Sequence, residues 1–548
     1  MLTALLLTAS LVFSSPVHYP ISLAGNYAEP RPNHFHGGID IKTGQAEGKP
    51  LFSVADGYVA AVSMGIGGYG NALYICHTNG TTSQYCHLKA FAPRIAAMAR
   101  AWQYKHRQNG GKVKFRPTDL PISRGDLVAI SGNTGSSQAP HLHLEIHDTR
   151  SWDMLDPLDF LGSYVADHLA PMAHGFMVYP QEGEGTFCNG ADKQSFGFAG
   201  HNLTRRFYAW GKVGFALWAN DYSEVTYNRL GVRKVEFFVD GKLQFSSETT
   251  RIPSTENMQV NAWGDYEHYM RYGVWYMRSF LRPGVTLPIF QTNENRGIID
   301  FNQERDYNMK YVLTDYKGNK SVYTFVVTAR KTAFHKRALS HPLFTLYWNR
   351  PNVFNYLGMS LSVGRGYLAD NVVLRPVVKH VEGGLSDEYR LMPISTPMFH
   401  YGRIAIRLKN KNVNNPRQLY IEGNNGISHY CDGIYQNGYV VGKARDLGAT
   451  YCVKRDAEAP RLNAVNIEGW GTRKEIKMGI IDNESGVRKF AGYVDGKFMV
   501  FEEVPKSPWY RCDLSLMPIH KTGKIHTFRF VAEDNCGNKR EFKTQFKY

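Results

Sequence analysis

The sequence predicts a mainly β protein built from several modules, and three features carry that expectation. Aromatic residues make up 13% of the chain, with 33 Tyr and 30 Phe, and such side chains favour strands. Asp-Gly and Asn-Gly turns, as at Asp56-Gly57, Asn79-Gly80 and Asp240-Gly241, separate short alternating apolar runs, the signature of antiparallel hairpins. A chain of 548 residues also exceeds what one core supports, and roughly 150 residues per domain gives about three to four domains.

The first element is a leader. Residues 2–13 form an apolar run ahead of Ser14-Ser15-Pro16, which reads as a signal peptide over 1–15, too short to span a membrane. Strands follow: 51–62 reads as two strands around Asp56-Gly57, 72–76 and 82–88 flank a turn at 77–80, and 127–131 leads through Gly132-Asn133-Thr134-Gly135 to a strand at 141–147. Residues 92–107 (APRIAAMARAWQYKHR), stopped by Asn109-Gly110-Gly111, break the rhythm as an inserted helix. This first antiparallel β domain is expected over 16–165, with a turn-rich linker over 166–194.

Beyond the linker the chain repeats itself. Gly231-Val232-Arg233-Lys234 followed by Val239-Asp240-Gly241-Lys242 recurs at the same offset as Gly486-Val487-Arg488-Lys489 and Val494-Asp495-Gly496-Lys497. Each copy later carries an Asp and a Gly-Asn-Lys turn, Asp315 with Gly318-Asn319-Lys320 and Asp534 with Gly537-Asn538-Lys539. Hairpins of this kind in alternating runs suggest immunoglobulin-like sandwiches, at 195–330 with an insertion within 248–296, and at 456–548. Residues 331–455 between them read as a further β domain without a motif. None of these modules concentrates catalytic side chains.

The net charge of +16 favours polyanionic partners. Without a run of five or six like charges or a basic helix interleaved with aromatics, nucleic acid is not among those expected. The seven cysteines contain no C-x-x-C pair, so they are not read as zinc ligands. Export permits disulfides, and Cys431 with Cys452 is the local pair the spacing offers, although the odd count leaves at least one thiol over.

Two clusters stand out among the 20 histidines: Asn33-His34-Phe35-His36-Gly37-Gly38-Ile39-Asp40 and Pro140-His141-Leu142-His143-Leu144-Glu145-Ile146-His147. Residues two apart on a strand share a face, which lets His141 and His143 enter one pocket. His36 and Asp40 would stand about 13 Å apart in full extension, so Gly37-Gly38 is expected to bend the chain and to permit close backbone approach. A His/Asp set without Cys suits an open hydrolytic zinc site with three protein ligands. No H-E-x-x-H supplies a glutamate base. Histidine is the natural substitute: the H-x-H pair offers one ring to the metal and one for proton transfer, with His87 a further candidate. Glu145 is a candidate to orient a site histidine, and His34 and His147 are read as supporting or surface residues.

In their order, H-x3-D at 36 and 40, Y-x-H-L at 85–88, S-G-N-T-G at 131–135 and H-x-H at 141 and 143 resemble the lysostaphin-type, or LytM-domain, zinc metallopeptidases of the bacterial envelope. The resemblance covers about 30–160 and implies an antiparallel-β peptidase domain in which His36, Asp40 and His143 hold one Zn2+ while His141 and His87 act as base or transition-state stabilisers. It further implies export to the periplasm or cell surface and peptidoglycan peptides as substrate. The sandwiches would then meet the wall or other envelope proteins, and no transmembrane span remains after the leader is removed. Some members are catalytically silent and bind wall or activate other hydrolases; here every matched position is retained. Two departures are Ala139, where Gly often precedes Pro-His, and the longer helical segment after His87.

Overall fold

The computed structural model describes residues 13–65, 67–334, 344–410 and 412–548. It is mainly β, as the sequence predicts. Most of the leader falls outside the described residues. Phe13, however, is buried against His77 and Phe160, and the Ser14 backbone N–H donates to Val54 O at 2.8 Å, so both belong to the packed first domain. Among the described residues no helix is long and apolar enough to cross a membrane.

The first domain is built on one antiparallel sheet. Its strands are β1 (Leu23–Gly25), β2 (Ile39–Lys42), β3 (Gly57–Met64), β4 (Ala72–His77) and β5 (Thr81–Cys86), with helix α1 (Pro93–His106) before β6 (His141–Asp148). Spatially β6 lies between β2 and β5, and the order runs β1-β2-β6-β5-β4-β3. Alternation fixes the faces of β6. Leu142, Leu144 and Ile146 are fully buried in the main core with Ile39, Ile41 and Tyr85, each aliphatic side chain contributing roughly 1.5–3 kcal/mol. His141, His143, Glu145 and His147 therefore share the opposite face.

One local expectation is corrected and another is met. The runs either side of Asp56-Gly57 do not form a hairpin: Pro50–Phe52 pairs with Leu127–Ile130 in a separate three-stranded sheet, while β3 joins the main sheet. As expected, the chain bends at Gly38 between His36 and Asp40 and the two glycines permit close approach, without a positive φ at either. A Cβ on Gly38 would lie 2.1 Å from Leu144 O, and one on Gly37 would lie 2.4 Å from Glu145 Oε1.

The segment 166–194 is not a free linker. It contains β7 (Met172–Phe187), which pairs along most of its length with β8 (Asn202–Ser223). The register slips between Pro180 and Gly185, where Pro removes a ladder donor and Gly183 turns back with φ +69°, and that interruption disguises the strand as a loop. In the first repeat copy β9 (Lys234–Val239), β10 (Lys242–Glu248), β11 (Asp306–Thr314) and β12 (Lys320–Ala329) run in the order β10-β9-β11-β12, and β8 extends the sheet beyond β12. The last 90 or so residues hold β13 (Glu475–Ile481) and the matching set β14 (Val487–Val494), β15 (Lys497–Met499), β16 (Ile525–Asp534) and β17 (Lys539–Lys547), in the equivalent order β15-β14-β16-β17. Here two four-stranded sheets share one core around Trp470, Phe528 and Phe530. Between the copies, two five-stranded sheets enclose a third core. All seven cysteines are free: Cys452 Sγ faces Glu422 rather than Cys431.

The final module returns to the first domain. Helix α1 and the turn after it receive it through Arg100–Glu502 at 2.5 Å, Asn109 Nδ2 donating to Phe490 O at 3.0 Å, and Phe501 N donating to Asn109 Oδ1 at 2.9 Å. The inserted helix is thus a docking platform. The close approach of β2 to β6 gives a direct prediction. Gly38→Ala should cost about 1–3 kcal/mol of stability or more, because the clash is with backbone that cannot rotate away, read as a lower urea midpoint; an unchanged midpoint would contradict the strand spacing.

Candidate metal centre

Register brings the predicted ligands together. His143 stands opposite Asp40 on β2 and opposite Cys86 on β5, while His36 enters from the turn ahead of β2. Their donor atoms converge: His36 Nε2 lies 3.0 Å from Asp40 Oδ1 and 2.9 Å from His143 Nδ1, and His143 Nδ1 lies 2.8 Å from Asp40 Oδ1. All three residues are buried, and they form a group able to hold a metal ion. His141 Nε2 approaches the same Asp40 oxygen at 3.2 Å, and the His87 ring centroid is 4.9 Å from that of His141. All five sequence candidates meet at one place.

Hydrogen bonds on the far side of each ring settle which nitrogen faces inward. His36 Nδ1–H donates to Asn26 O at 2.6 Å and His143 Nε2–H donates to Glu145 Oε1 at 2.9 Å. The remaining lone pairs, His36 Nε2 and His143 Nδ1, therefore point at Asp40. His141 Nδ1–H donates to Ala139 O at 2.8 Å and His87 Nδ1–H to Thr134 O at 2.8 Å, which turns both Nε2 atoms toward the cleft. Ala139 thus takes part through its carbonyl, which any residue would supply.

Glu145 is the hub behind the ligands. It also accepts from Tyr69 Oη at 2.9 Å and from His147 Nε2 at 2.7 Å, and His147 is stacked on Trp152. His34 by contrast is exposed and donates to Pro32 O, away from the site. The S-G-N-T-G turn holds His87: Thr134 Oγ1 accepts from Asn71 N and donates to Leu88 O. His87 itself sits at φ +60°, a strained position for a non-glycine residue that the surrounding hydrogen bonds enforce. Sequence reading overlooked Asn26, Tyr69 and Arg31, whose Nη2 donates to Asp40 Oδ2 at 2.8 Å.

The charges follow from this geometry. Burial pushes His36 down to about 4 against the pull of Asp40, so its ring is neutral at pH 7. Burial would raise the Asp40 carboxyl, but the neighbouring histidines hold it well below the usual range. Burial also opposes a charge on His143, yet its hydrogen bonds to Asp40 and Glu145 prevail and raise it to about 9. Burial, then the nearby His143 and His141, lowers His87 to about 4. His36 Nε2 and, once its proton is displaced, His143 Nδ1 beside a carboxylate suit a divalent cation, and three such donors leave room for water or substrate.

The peptidase family M23 model matches residues 34–100, which include His36, Asp40 and His87, and a Zu5-like domain model matches residues 344–456. The DD-carboxypeptidase/endopeptidase Mpg of Neisseria meningitidis serogroup B is 34% identical over 110 residues, 20% of this chain and 19% of that protein. An uncharacterized metalloprotease of Haemophilus influenzae is 30% identical over 112 residues, 20% of this chain and 18% of the relative. The similarity thus spans about a fifth of the length of these curated relatives. Among solved structures, the catalytic domain of the antimicrobial peptidase lysostaphin from Staphylococcus simulans is similar over 26% of this chain and 92% of that one, at 21% identity and a TM-score of 0.20. Residues 34–100 thus match the peptidase family M23, and the first third of the chain is similar to metallopeptidases of that family.

Proposed function

We propose that the chain is an exported zinc metallo-endopeptidase that hydrolyses peptide cross-links or stem peptides of bacterial peptidoglycan. The observation that carries this reading is the convergence of His36, Asp40 and His143 with two further histidine Nε2 atoms turned into the same cleft. The donor set fits zinc: nitrogen and carboxylate ligands, no thiolate, and a hydrogen-bonded partner behind each imidazole. Held there, zinc would act as a Lewis acid toward a peptide carbonyl and lower the pKa of a water molecule to about 7.

The chain's own residues supply the proton steps. His141 is the more open of the two flanking rings, with 16% of its side chain exposed, and its Nε2 lone pair takes a proton from the attacking water and returns it to the leaving amine. His87, neutral at pH 7, likewise turns its Nε2 lone pair to the cleft, where it accepts a hydrogen bond from the attacking water and orients it for proton transfer to His141. The wall as substrate is supported by the activity named for the Neisseria relative and by a net charge of +16, which draws the chain to anionic wall polymers.

Three outcomes test the reading. Incubated with sacculi, the purified protein should release muropeptides with new amine termini detectable by mass spectrometry. Chelator should abolish them, and His141→Ala should reduce turnover by roughly 10²–10⁴ while still binding zinc stoichiometrically; equal products from parent and variant would defeat the proposal. Glu145→Gln should weaken zinc affinity by roughly 10- to 100-fold in a chromogenic-chelator competition. The third concerns pH. Because His143 is raised to about 9, a metal ion must displace its proton at neutral pH. Apparent zinc affinity should therefore climb about tenfold per pH unit from 7 and level off above the His143 value, with about one proton released per ion in calorimetry at pH 7.

A further inference from the structure

Away from the peptidase site, three aspartates from separate segments meet where the first domain hands over to the first repeat copy. Asp167 follows the peptidase domain, Asp221 lies near the end of β8, and Asp315 opens the turn between β11 and β12. One carboxylate oxygen of each lies within 4.8 Å of the others, and all three residues are buried. None of them forms an ion pair with Lys or Arg among the described residues.

Two of these carboxylates have an oxygen without any partner. Asp167 Oδ2 and Asp221 Oδ1 are sealed from solvent and accept no hydrogen bond, in residues only 3% and 1% exposed. Ser223 Oγ, two residues beyond Asp221, is also buried and unpartnered. Leaving buried charged oxygens without donors is costly, and three such groups packed together repel one another. Burial first, then mutual repulsion, raises Asp221 to about 8 and Asp167 to about 6.

A second observation is independent of the first. The other repeat copy places Asp456, Asp482 and Asp534 in the same relation, again at the entry to its module. The turn details coincide. Asn319 Nδ2 donates to Asp315 Oδ2 at 2.7 Å and to Asp167 O at 3.4 Å; Asn538 Nδ2 donates to Asp534 Oδ2 at 2.7 Å and to Asp456 O at 3.0 Å. The turn residues Asp and Asn thus clamp the incoming chain in both modules, which the Gly-Asn-Lys motif alone did not reveal.

We infer that Asp167, Asp221 and Asp315 form a binding site for a hard divalent cation of the calcium class, which fastens the peptidase domain to the module that follows it. An all-oxygen donor set with irregular geometry suits Ca2+ rather than zinc, which prefers nitrogen and sulfur, or Mg2+, which demands near-octahedral order. The mechanical role follows from the contacts of the same turn. Tyr316 packs on the peptidase core, its Oη donating to Val165 O at 3.4 Å, and Lys317 Nζ donates to Gly162 O at 2.7 Å. Neutralising the three carboxylates would hold that turn, and with it the domain junction, in place.

Equilibrium dialysis of the zinc-loaded full chain against radioactive calcium tests this directly. Asp221→Asn should bind one calcium fewer than the parent, and millimolar Ca2+ should raise the parent's melting temperature and protect the 162–170 segment from proteolysis, with neither effect in the variant. In calcium-free buffer near pH 7 the variant should be about as stable as the parent, since an amide replaces a carboxyl that is already largely protonated there. Asp167→Asn repeats the test should Asp221→Asn fold poorly. Equal calcium stoichiometry in parent and a folded variant, or no binding by the parent at millimolar Ca2+, overturns the inference.

Discussion

The constraint on which the rest depends is the alternation of β6. β6 pairs with a strand on each edge, and its two faces carry opposite chemistry: Leu142, Leu144 and Ile146 on one, and His141, His143, Glu145 and His147, all but His141 buried, on the other. The apolar face needs only a core. The polar face needs a partner for every nitrogen and oxygen it takes out of water, and meeting that need generates the site: Asp40 and His36 on one side, Tyr69 and Glu145 behind, and the open cleft toward His141 and His87. A shift of one residue in the register of β6 would exchange the two faces and remove both core and ligands together.

The same arrangement explains why the five candidate residues divide into two kinds. His36, Asp40 and His143 are held by partners within the sheet and are closed to solvent. His141 and His87 are anchored through Nδ1 to backbone carbonyls of the 134–139 loop, which turns Nε2 of each toward the cleft, that of His141 beside Asp40. Rigid donors suit an ion whose geometry must not drift, and singly anchored rings suit groups that gain and lose a proton. Lys506 Nζ donates to Gly135 O at 2.7 Å, so the loop that aims His87 is also braced by the last module.

What was legible in the sequence was local. The His/Asp clusters could be read because ligand spacing of two along a strand survives as a motif, and the repeat could be read because its two parts keep their offset. The helix at Pro93–His106 lies where its composition places it, though nothing in that composition announces that it receives a module hundreds of residues away. The bend and close approach at Gly37 and Gly38 were legible, but which backbone they approach was not, since only the distance to Leu144 O shows it. Asn26 and Tyr69 contribute a carbonyl and a hydroxyl from other loops, and neither leaves a spacing to recognise. The aspartates of the junction are individually ordinary turn residues until the fold gathers them.

The repeat also shows how one turn can be reused with different neighbours. In the first copy Arg233 of the Gly-Val-Arg-Lys motif reaches out to Asp156 and Asp159 of the peptidase domain, whereas in the second the corresponding Arg488 turns back to Glu533 of its own module. The Asp-x-x-Gly-Asn-Lys turn keeps its internal hydrogen bonds in both, since they depend only on the turn. Its outward contacts differ because the surfaces it meets differ: Tyr316 finds an apolar core, while Asn538 accepts from Gln418 Nε2 at 2.8 Å. A module whose internal geometry is fixed but whose rim is free to vary can be placed after unrelated domains. The same turn accordingly appears here both behind the segment that matches the M23 peptidase model and behind the one that matches the Zu5-like model.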